Sequence, residues 1–337
     1  MKKTTDATRR DFLKSCVAGA VALGAGEMAI AKSAVQDATT PKSKVVVARD
    51  ANLTNGGASL DSARVQRLLD RAMQSFFNAN DPVTPWKKLV KPGEVVGLKV
   101  NTIAGPGLST NLELIEAVCE RLQQAGVKPG NIVVWDRWNR EFERVKYPIS
   151  TDASKVRFLG TDTKDFGYED ETLTSGKVST RLSKLLTRTC DCMINLPVMK
   201  DHGGAGITCA MKNMYGVIEN PYKQHENNCS PYIADLYMLP AIKNKFRLSI
   251  CDAFTAAFDG GPGYNPQYTW KYNGLIVASD PVANDYTVWQ IIERKRSEMK
   301  LKSLTDAGRP PKYIAVAADS QHRLGTNDPK RIALTEI

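Results

Sequence analysis

The 337-residue sequence lacks the short signatures that identify several common kinds of site. It has no C-x-x-C-x-x-C run of the kind that holds a ferredoxin-type cluster, and no zinc signature. Its glycines match neither the phosphate-binding loop of nucleotide hydrolases nor the G-x-G-x-x-G fingerprint of dinucleotide-binding domains. No segment combines basic and aromatic residues in the manner of a nucleic-acid reader. We therefore expect no iron–sulfur cluster and no nucleic-acid partner, and the sequence leaves the cofactor unknown.

The first 31 residues have the features of an export signal. Arg9 and Arg10 are followed, after one spacer, by Phe-Leu-Lys at 12–14, which is the twin-arginine signature. The apolar run 17–31 is too short and too rich in glycine for a transmembrane helix. It ends in Ala-Ile-Ala, a pattern typical of a cleavage site. We expect residues 1–31 to be a signal peptide that the twin-arginine translocase recognises, and the protein to reach the periplasm without a stable membrane span.

The rest of the chain has the composition of a globular domain with a basic surface. Residues 32–43 contain few apolar residues and are predicted to be a tether, so that residues 44–337 form a single domain. The formal net charge of the whole chain is +10, which favours anionic small molecules or membrane surfaces as partners. A chain of this length does not need disulfides, and we expect Cys119 and Cys251 to be free buried thiols.

The order of apolar segments predicts an α/β fold. Short, doubly apolar strands alternate with amphipathic segments, of which 61–79 and the segment after the Thr110–Glu113 capping box are the clearest helices. Short connections between such strands favour right-handed crossovers and a mostly parallel or mixed sheet with helices on both faces. The predicted strands are 45–47, 95–100, 132–135, 156–159, 193–198, 247–251, 275–278 and 313–316. The other predicted helices are 179–188, 208–217 and 281–300, and long loops at 220–245 and 255–272 lie beyond the carboxyl ends of strands.

Polar side chains follow several of these strands, at the edge where ligands bind in open α/β sheets. The candidate catalytic residues are Lys99, Lys200 and His202, and the candidate ligand-binding residues are Asn101, Gly203, Gly204, Gly206, Lys212 and Asn213. The lysines would attract an anionic small molecule, and His202 would move a proton. The glycine-rich loop leads into the helix predicted near Thr208, whose free N–H groups would bind an anion. Surface positions for His202 and the lysines remain an alternative.

A divalent metal is a second hypothesis for the same region. Asp252 and Asp280 follow predicted strands and, together with His202, offer oxygen and nitrogen ligands. Asp280 stands directly before Pro281, so it also fits the N-cap of the helix that begins there. Both interpretations of Asp280 stay open at this point.

Five separated segments resemble the domain of unknown function 362 family, in the order that the family has them. They are 97–101, the helix after Thr110 and Asn111, 195–202, 211–216 and 278–283, within a resemblance that covers roughly residues 44–320. The resemblance implies that the matched polar positions are Lys99, Asn101, Lys200, His202, Lys212, Asn213 and Asp280. Some relatives in the family carry appended ferredoxin-like cysteine clusters, and this chain departs from them by having none.

Three functions follow from these observations. The first is an exported enzyme or enzyme-like protein that binds an anionic small molecule in a Lys/His/Asn/Asp pocket, with or without a metal. The second is a non-catalytic periplasmic carrier that uses the same pocket. The third is a redox accessory protein that uses Cys190 and Cys192, although two cysteines on one face of a strand are more typical of core packing.

Overall fold

The computed structural model describes residues 42–54 and 59–337 of the chain. The predicted signal peptide and nearly all of the predicted tether lie outside these residues. Lys42–Ile337 form one compact unit. In the described part of this unit, no helix is both long enough and apolar enough to cross a membrane.

Twelve strands and eight helices account for most of the regular structure of the described residues. The strands are β1 (Ser43–Arg49), β2 (Val96–Lys99), β3 (Ile132–Asp136), β4 (Arg157–Gly160), β5 (Leu173–Ser175), β6 (Val178–Thr180), β7 (Cys192–Asn195), β8 (Val198–His202), β9 (Gly206–Thr208), β10 (Phe246–Ala257), β11 (Thr269–Ala278) and β12 (Ile332–Glu336). The helices are α1 (Ser62–Phe77), α2 (Thr84–Leu89), α3 (Leu112–Gln124), α4 (Asn139–Arg144), α5 (Tyr232–Tyr237), α6 (Pro240–Lys243), α7 (Pro281–Glu298) and α8 (Lys312–Ala318).

Ten of the strands form one mixed sheet, which confirms the predicted α/β fold. The strand order is β12-β1-β11-β10-β7-β2-β3-β4, and β8 pairs with both β10 and β9. The run from β10 through β7, β2 and β3 to β4 is parallel, whereas β1 and β10 are antiparallel to β11, and β8 is antiparallel to β9. The strands β5 and β6 form a separate hairpin.

Helices cover both faces of the sheet, as predicted. Alternate strand residues point to opposite faces, so that Val45 and Val47 join one apolar cluster and Val46 and Ala48 join the other. The first cluster contains residues of α5, α7 and α8, and the second contains residues of α1 and α3. The two cores together bury the doubly apolar strands that the sequence pattern indicated.

One predicted strand is wrong and another is divided. Residues 313–316 belong to α8, where Tyr313, Ile314 and Ala317 are buried along one helical face. The predicted strand 193–198 is split into β7 and β8 at Pro197, which has no N–H for a ladder bond. At this break the Leu196 N–H donates to the Lys99 carbonyl at 2.8 Å.

Three further local predictions need correction. Residues 208–217 are not an α-helix, because β9 ends at Thr208 and a 3-10 helix spans Lys212–Val217. Residues 179–188 include the end of β6 and part of a π-helical turn, Leu185–Thr189. The predicted capping box does not form, since Asn111 is the N-cap of α3 and makes no side-chain capping bond.

The long loops are also more ordered than predicted. Residues 220–245 contain α5 and α6 as well as a 3-10 turn at Pro221–Gln224. The segment 255–272 includes the end of β10 and the start of β11, which pair with each other as a hairpin. A turn, or a helix shorter than two turns, has too few residues to show a clear apolar period. The sequence pattern therefore does not reveal it.

Candidate functional site

A cavity of about 170 Å³ lies at the carboxyl ends of β2 and β3, beside the hairpin of β8 and β9. All six polar side chains that the sequence marked as catalytic or ligand-binding reach it. Its wall consists of Lys99, Asn101, Ile103, Asp136, Arg137, Glu141, Lys200, His202, Thr208, Lys212, Asn213, Tyr215, Gly216, Pro221, His225 and Pro262.

A buried ion pair forms the floor of this cavity. The Lys99 Nζ atom lies 2.7 Å from the Asp136 Oδ1 atom, and both side chains are almost fully buried. The other Asp136 oxygen accepts from the Thr102 N–H and hydroxyl at 3.0 and 2.9 Å. A Cβ atom at Gly216 would lie 2.6 Å from Lys99 Nζ, so only glycine allows this close approach. Asp136 is therefore fully engaged and has little charge left for a ligand.

A chain of three asparagine amides connects the backbone to Lys200. The Ala210 carbonyl accepts from Asn195 Nδ2 at 2.9 Å, Asn195 Oδ1 accepts from Asn213 Nδ2 at 2.7 Å, and Asn213 Oδ1 accepts from Asn101 Nδ2 at 2.9 Å. A carbonyl can only accept, so it fixes the orientation of every amide in the chain. The last oxygen, Asn101 Oδ1, accepts from Lys200 Nζ at 2.7 Å.

Lys200 is the most isolated cation of the site. Its side chain is fully buried on β8, and Asn101 Oδ1 is the one hydrogen-bond partner of Nζ among the described residues. Burial lowers its pKa to about 7, and the nearby charge of Lys212 acts in the same direction against the opposing effect of Asp136. An ammonium has three donors, so two N–H bonds of Lys200 remain for a ligand.

His202 lies two residues after Lys200 on the same face of β8, and its ring is held as a neutral donor. The N–H groups of Gly204 and Ala205 donate to its Nδ1 atom at 2.9 and 3.0 Å. Nδ1 therefore carries a lone pair and Nε2 carries the proton. Burial lowers the pKa of His202 to about 2, and the charge of Lys212 contributes. This environment favours a neutral His202 that donates through Nε2, and its role in moving a proton stays a prediction.

Lys212 and His225 form a second polar pair at the cavity. The Pro221 carbonyl lies 2.9 Å from His225 Nδ1 and can only accept, so Nε2 is free to accept from Lys212 Nζ at 3.2 Å. The Lys212 ammonium also lies 3.9 Å from the centre of the Tyr215 ring. Burial lowers the pKa of Lys212 to about 8. The rings of His225 and His202 stack with centroids 5.6 Å apart.

The three glycines predicted to bind an anion serve the hairpin instead. Gly203, Gly204 and Gly206 connect β8 to β9, where His202 faces Gly206, and no helix begins at this loop. The Gly203 N–H donates to the Gly261 carbonyl at 3.2 Å. Gly206 has a φ of +80°, a conformation that favours glycine. The predicted anion cradle at a helix start is therefore wrong.

The predicted metal ligands do not come together. Asp252 Oδ2 accepts from the backbone and side-chain nitrogens of Asn111 at 2.7 and 2.8 Å, and burial raises the pKa of Asp252 to about 6. Asp280 Oδ1 caps α7 by accepting from the N–H groups of Val282 and Ala283, both at 2.9 Å. Neither aspartate lines the cavity. Within residues 42–54 and 59–337 no group of three or more His, Cys, Asp or Glu residues is arranged to hold a metal ion.

Ten of the cavity residues are absent from the candidates that the sequence supplied, and the polar ones among them are Asp136, Arg137, Glu141, Thr208, Tyr215 and His225. Asp136 ends a predicted strand, so the strand-end rule could have selected it. Burial raises the pKa of Glu141, with a contribution from the charge of Asp136. His225 comes from a segment that was predicted to be a loop, and no local pattern indicated that it would fold over the cavity.

Cys190 and Cys192 are not arranged as a redox pair. All six cysteines of the described part are buried, including Cys119 and Cys251. Cys190 and Cys192 pack in different apolar clusters, so the expectation that they share a face is wrong. Burial raises their pKa values to about 12 and about 11. Such thiols have little thiolate character, and the redox hypothesis loses its reactive groups.

Comparison with known proteins agrees with the resemblance seen in the sequence. The model of the family "Domain of unknown function (DUF362)" matches residues 96–290, which is more than half of the chain. A thylakoid-associated protein, sll1697, from Synechocystis sp. (strain ATCC 27184 / PCC 6803 / Kazusa), is 28% identical over 231 residues, which cover 63% of this chain and 67% of that protein.

A solved structure of a Thermotoga maritima protein shares 11% identity with a TM-score of 0.41, and the match covers 72% of this chain and 60% of that one. The chain thus spans less than two thirds of that protein. The family match covers β2 through most of α7, and with it every side chain that lines the cavity. The chain belongs to the DUF362 family.

Proposed function

We propose that the cavity binds a small anionic molecule and that Lys200 exchanges a proton with it. The observation that carries the proposal is the set of hydrogen-bond donors that face the cavity without an acceptor. Lys200 has two N–H bonds to spare. The Thr208 hydroxyl is buried and has no partner among the residues that the structure describes, and His202 presents an N–H at Nε2.

The position of these donors follows from the hairpin. Lys200 and Thr208 are directly paired across β8 and β9, so their side chains point to the same side. A buried donor without an acceptor costs free energy, and an oxyanion is the group that satisfies several donors at once. The charge of Lys212 adds to the attraction, because the neutral His225 is its hydrogen-bond partner and does not neutralise it.

The size of the cavity limits the ligand. A void of about 150 Å³ holds a molecule the size of benzene, and the cavity measures about 170 Å³. A small carboxylate or phosphate fits this space, whereas a nucleotide would extend far outside it. The proposal therefore concerns small organic or inorganic anions.

Lys200 supports proton exchange because its pKa of about 7 leaves both protonation states populated near neutrality. A group with a pKa close to the working pH is the most effective proton-transfer catalyst. An oxyanion beside Nζ would raise this pKa, so binding at pH 7.5 should draw up to about three quarters of a proton per site from the buffer. A non-catalytic carrier that uses the same donors would show the same uptake. The measurement therefore tests whether Lys200 is the partner of the ligand, and turnover is what distinguishes an enzyme from a carrier.

Titration calorimetry with oxalate tests this proposal. We expect saturable binding with one site per chain, proton uptake at pH 7.5 measured in two buffers of different ionisation enthalpy, and loss of that uptake in Lys200→Met. Lys212→Gln should weaken binding about tenfold or more, since it removes a charge that acts in a low-dielectric site. Lys87→Gln, an exposed change on α2, is the matched control. Equal binding in all three variants would place the site elsewhere and overturn the proposal.

We further propose that the protein is exported through the twin-arginine pathway. The support is the signature at residues 9–14 and the apolar run that follows it. Changing both Arg9 and Arg10 to Lys should retain the full-length chain in the cytoplasm. As the control, changing both Lys2 and Lys3 to Arg should leave export intact. Export of the Arg9/Arg10 variant in normal amounts would contradict this proposal.

A further inference from the structure

An aliphatic side chain stands exposed at the mouth of the charged cavity. Ile103 lines the cavity and yet keeps 55% of its surface exposed. Isolated surface hydrophobics are ordinary, but this one borders a site whose inner wall is formed by Lys200, Lys212 and Asp136. The position of Ile103 therefore needs a reason beyond surface composition.

The loop that carries Ile103 is held firmly on both sides. Thr102 is bound through its N–H and its hydroxyl to Asp136, and the Gly105 N–H donates to the Thr102 carbonyl at 3.0 Å. Ser109 donates its hydroxyl to the Gly105 carbonyl at 2.8 Å. The next residue, Ala104, is buried in a small apolar cluster. Ile103 is thus presented to solvent by a well-anchored turn.

Further carbon surface comes from other parts of the chain. Pro221 and Pro262 both line the cavity, and Tyr222, next to Pro221, is 66% exposed. Pro221 is fixed because its carbonyl accepts from His225 Nδ1 at 2.9 Å. Pro262 is fixed because Gly261, the residue before it, donates its N–H to Asp201 Oδ1 at 2.8 Å. Three separate segments therefore place rigid apolar groups around a donor-lined interior.

We propose that the anionic ligand carries a short alkyl or aryl group, and that Ile103, Pro221 and Pro262 hold this group at the mouth of the cavity. The inference rests on the proposed function, because the oxyanion must occupy the interior. The cavity has room for a few heavy atoms of the ligand in addition to the oxyanion. The apolar group of the ligand covers Ile103 and also keeps water away from Lys200. This occupant is favoured over a protein partner because the apolar residues continue directly into the charged interior.

A series of straight-chain carboxylates from acetate to pentanoate tests the inference by titration calorimetry, or by competition with oxalate. Full burial of a methylene strengthens binding about fourfold, and partial burial gives about twofold. We expect a gain of about twofold to fourfold per methylene over the first additions. Ile103→Ser should remove most of this gain, so that its effect is smallest for acetate and grows along the series, while Ile103→Leu should retain the gain. Leu334→Ser, at a position of similar exposure on β12 (48% exposed), is the control.

The outcomes separate the two proposals. Binding of oxalate and acetate with no dependence on chain length would overturn the inference and leave the anion site standing. Failure of oxalate and of the whole series to bind would overturn both. A change of oligomeric state in Ile103→Ser, measured by sedimentation velocity, would assign the apolar rim to contact between copies of the chain and would also overturn the inference.

Discussion

The ammonium of Lys200 donates to Asn101 Oδ1 at 2.7 Å, at the end of an amide chain whose direction is set by the Ala210 carbonyl. The three asparagine amides offer Lys200 one acceptor, Asn101 Oδ1, and no carboxylate. Burial without a counter-charge is the condition that lowers the pKa of a lysine most strongly. The same arrangement holds Nζ in one place at the wall of the cavity and leaves its remaining donors without a partner among the described residues.

Replacing Lys200 should change how stability depends on pH. The folded pKa of about 7 lies below the ordinary value of 10.5, so the unfolded chain binds more protons between these values. The contribution of Lys200 therefore makes the free energy of unfolding rise with pH from about 7 to about 10.5. Lys200→Met should remove this rise and increase the free energy of unfolding at pH 7 by a few kcal/mol. Urea denaturation at a series of pH values measures both effects.

Lys87→Met provides the comparison for that experiment, because Lys87 is exposed on α2. It should leave the pH dependence of the free energy of unfolding as it is in the original protein. A Lys200→Met curve parallel to the original between pH 7 and 10 would mean that Lys200 titrates normally in the folded state.

Breaking the ion pair of Lys99 and Asp136 should strongly lower the free energy of unfolding. Asp136→Asn leaves a buried ammonium without its counter-charge, and such changes typically lower the free energy of unfolding by about 3–5 kcal/mol. The double variant Lys99→Met/Asp136→Asn should recover a large part of this loss, because no buried charge is left unpaired. Chemical denaturation of the two variants checks the prediction. Equal losses in both would mean that the loss of stability comes from the Thr102 hydrogen bonds and not from the unpaired charge of Lys99.

His322 should make the protein more stable in mildly acidic solution. Its two ring nitrogens lie 3.0 Å from Asp235 and 3.0 Å from Asp319. Burial alone would lower its pKa, but the hydrogen bonds to the two carboxylates raise it above the ordinary value of 6.5. Stabilisation by a raised pKa is complete below 6.5 and is lost as the pH rises through the folded pKa. His322→Gln should therefore lower the thermal unfolding temperature at pH 6 more than at pH 8.5.

His225 offers a matched comparison, because burial lowers the pKa of its ring. His225→Gln should shift the difference between pH 6 and pH 8.5 in the opposite direction. The same pH response in both histidine variants would contradict the claim that Asp235 and Asp319 raise the pKa of His322.

The sequence predicted the layers of the fold and six side chains of the site, because both depend on simple patterns. Doubly apolar strands indicate a covered sheet, and the ends of parallel strands indicate where Lys99 and Asn101 lie. The short segments were harder, since apolar runs such as 313–316 fit a buried strand and a buried helix equally well. Packing of α8 against its neighbours makes residues 313–316 helical, and the local sequence carries no information about that packing.

The chemistry assigned to single residues depended on contacts that no sequence pattern reveals. His202 was predicted to move a proton because histidine ordinarily titrates near neutrality. In the structure, burial and the charge of Lys212 lower the pKa of His202, and the separate burial of Lys200 brings the pKa of that lysine to about 7. Asp252 and Asp280 were available as metal ligands in the sequence, but their oxygens are used by Asn111 and by the start of α7.

A crystal structure with 4-bromobenzoate tests the central claim most directly, because the bromine can be located by its anomalous scattering. We predict a carboxylate oxygen within hydrogen-bond distance, about 2.7–3.2 Å, of Lys200 Nζ, with the Thr208 hydroxyl or Lys212 Nζ as a second partner and the bromine beside Ile103. A carboxylate bound away from Lys200, or an empty cavity at a saturating concentration, would contradict the assignment of this cavity as an anion site.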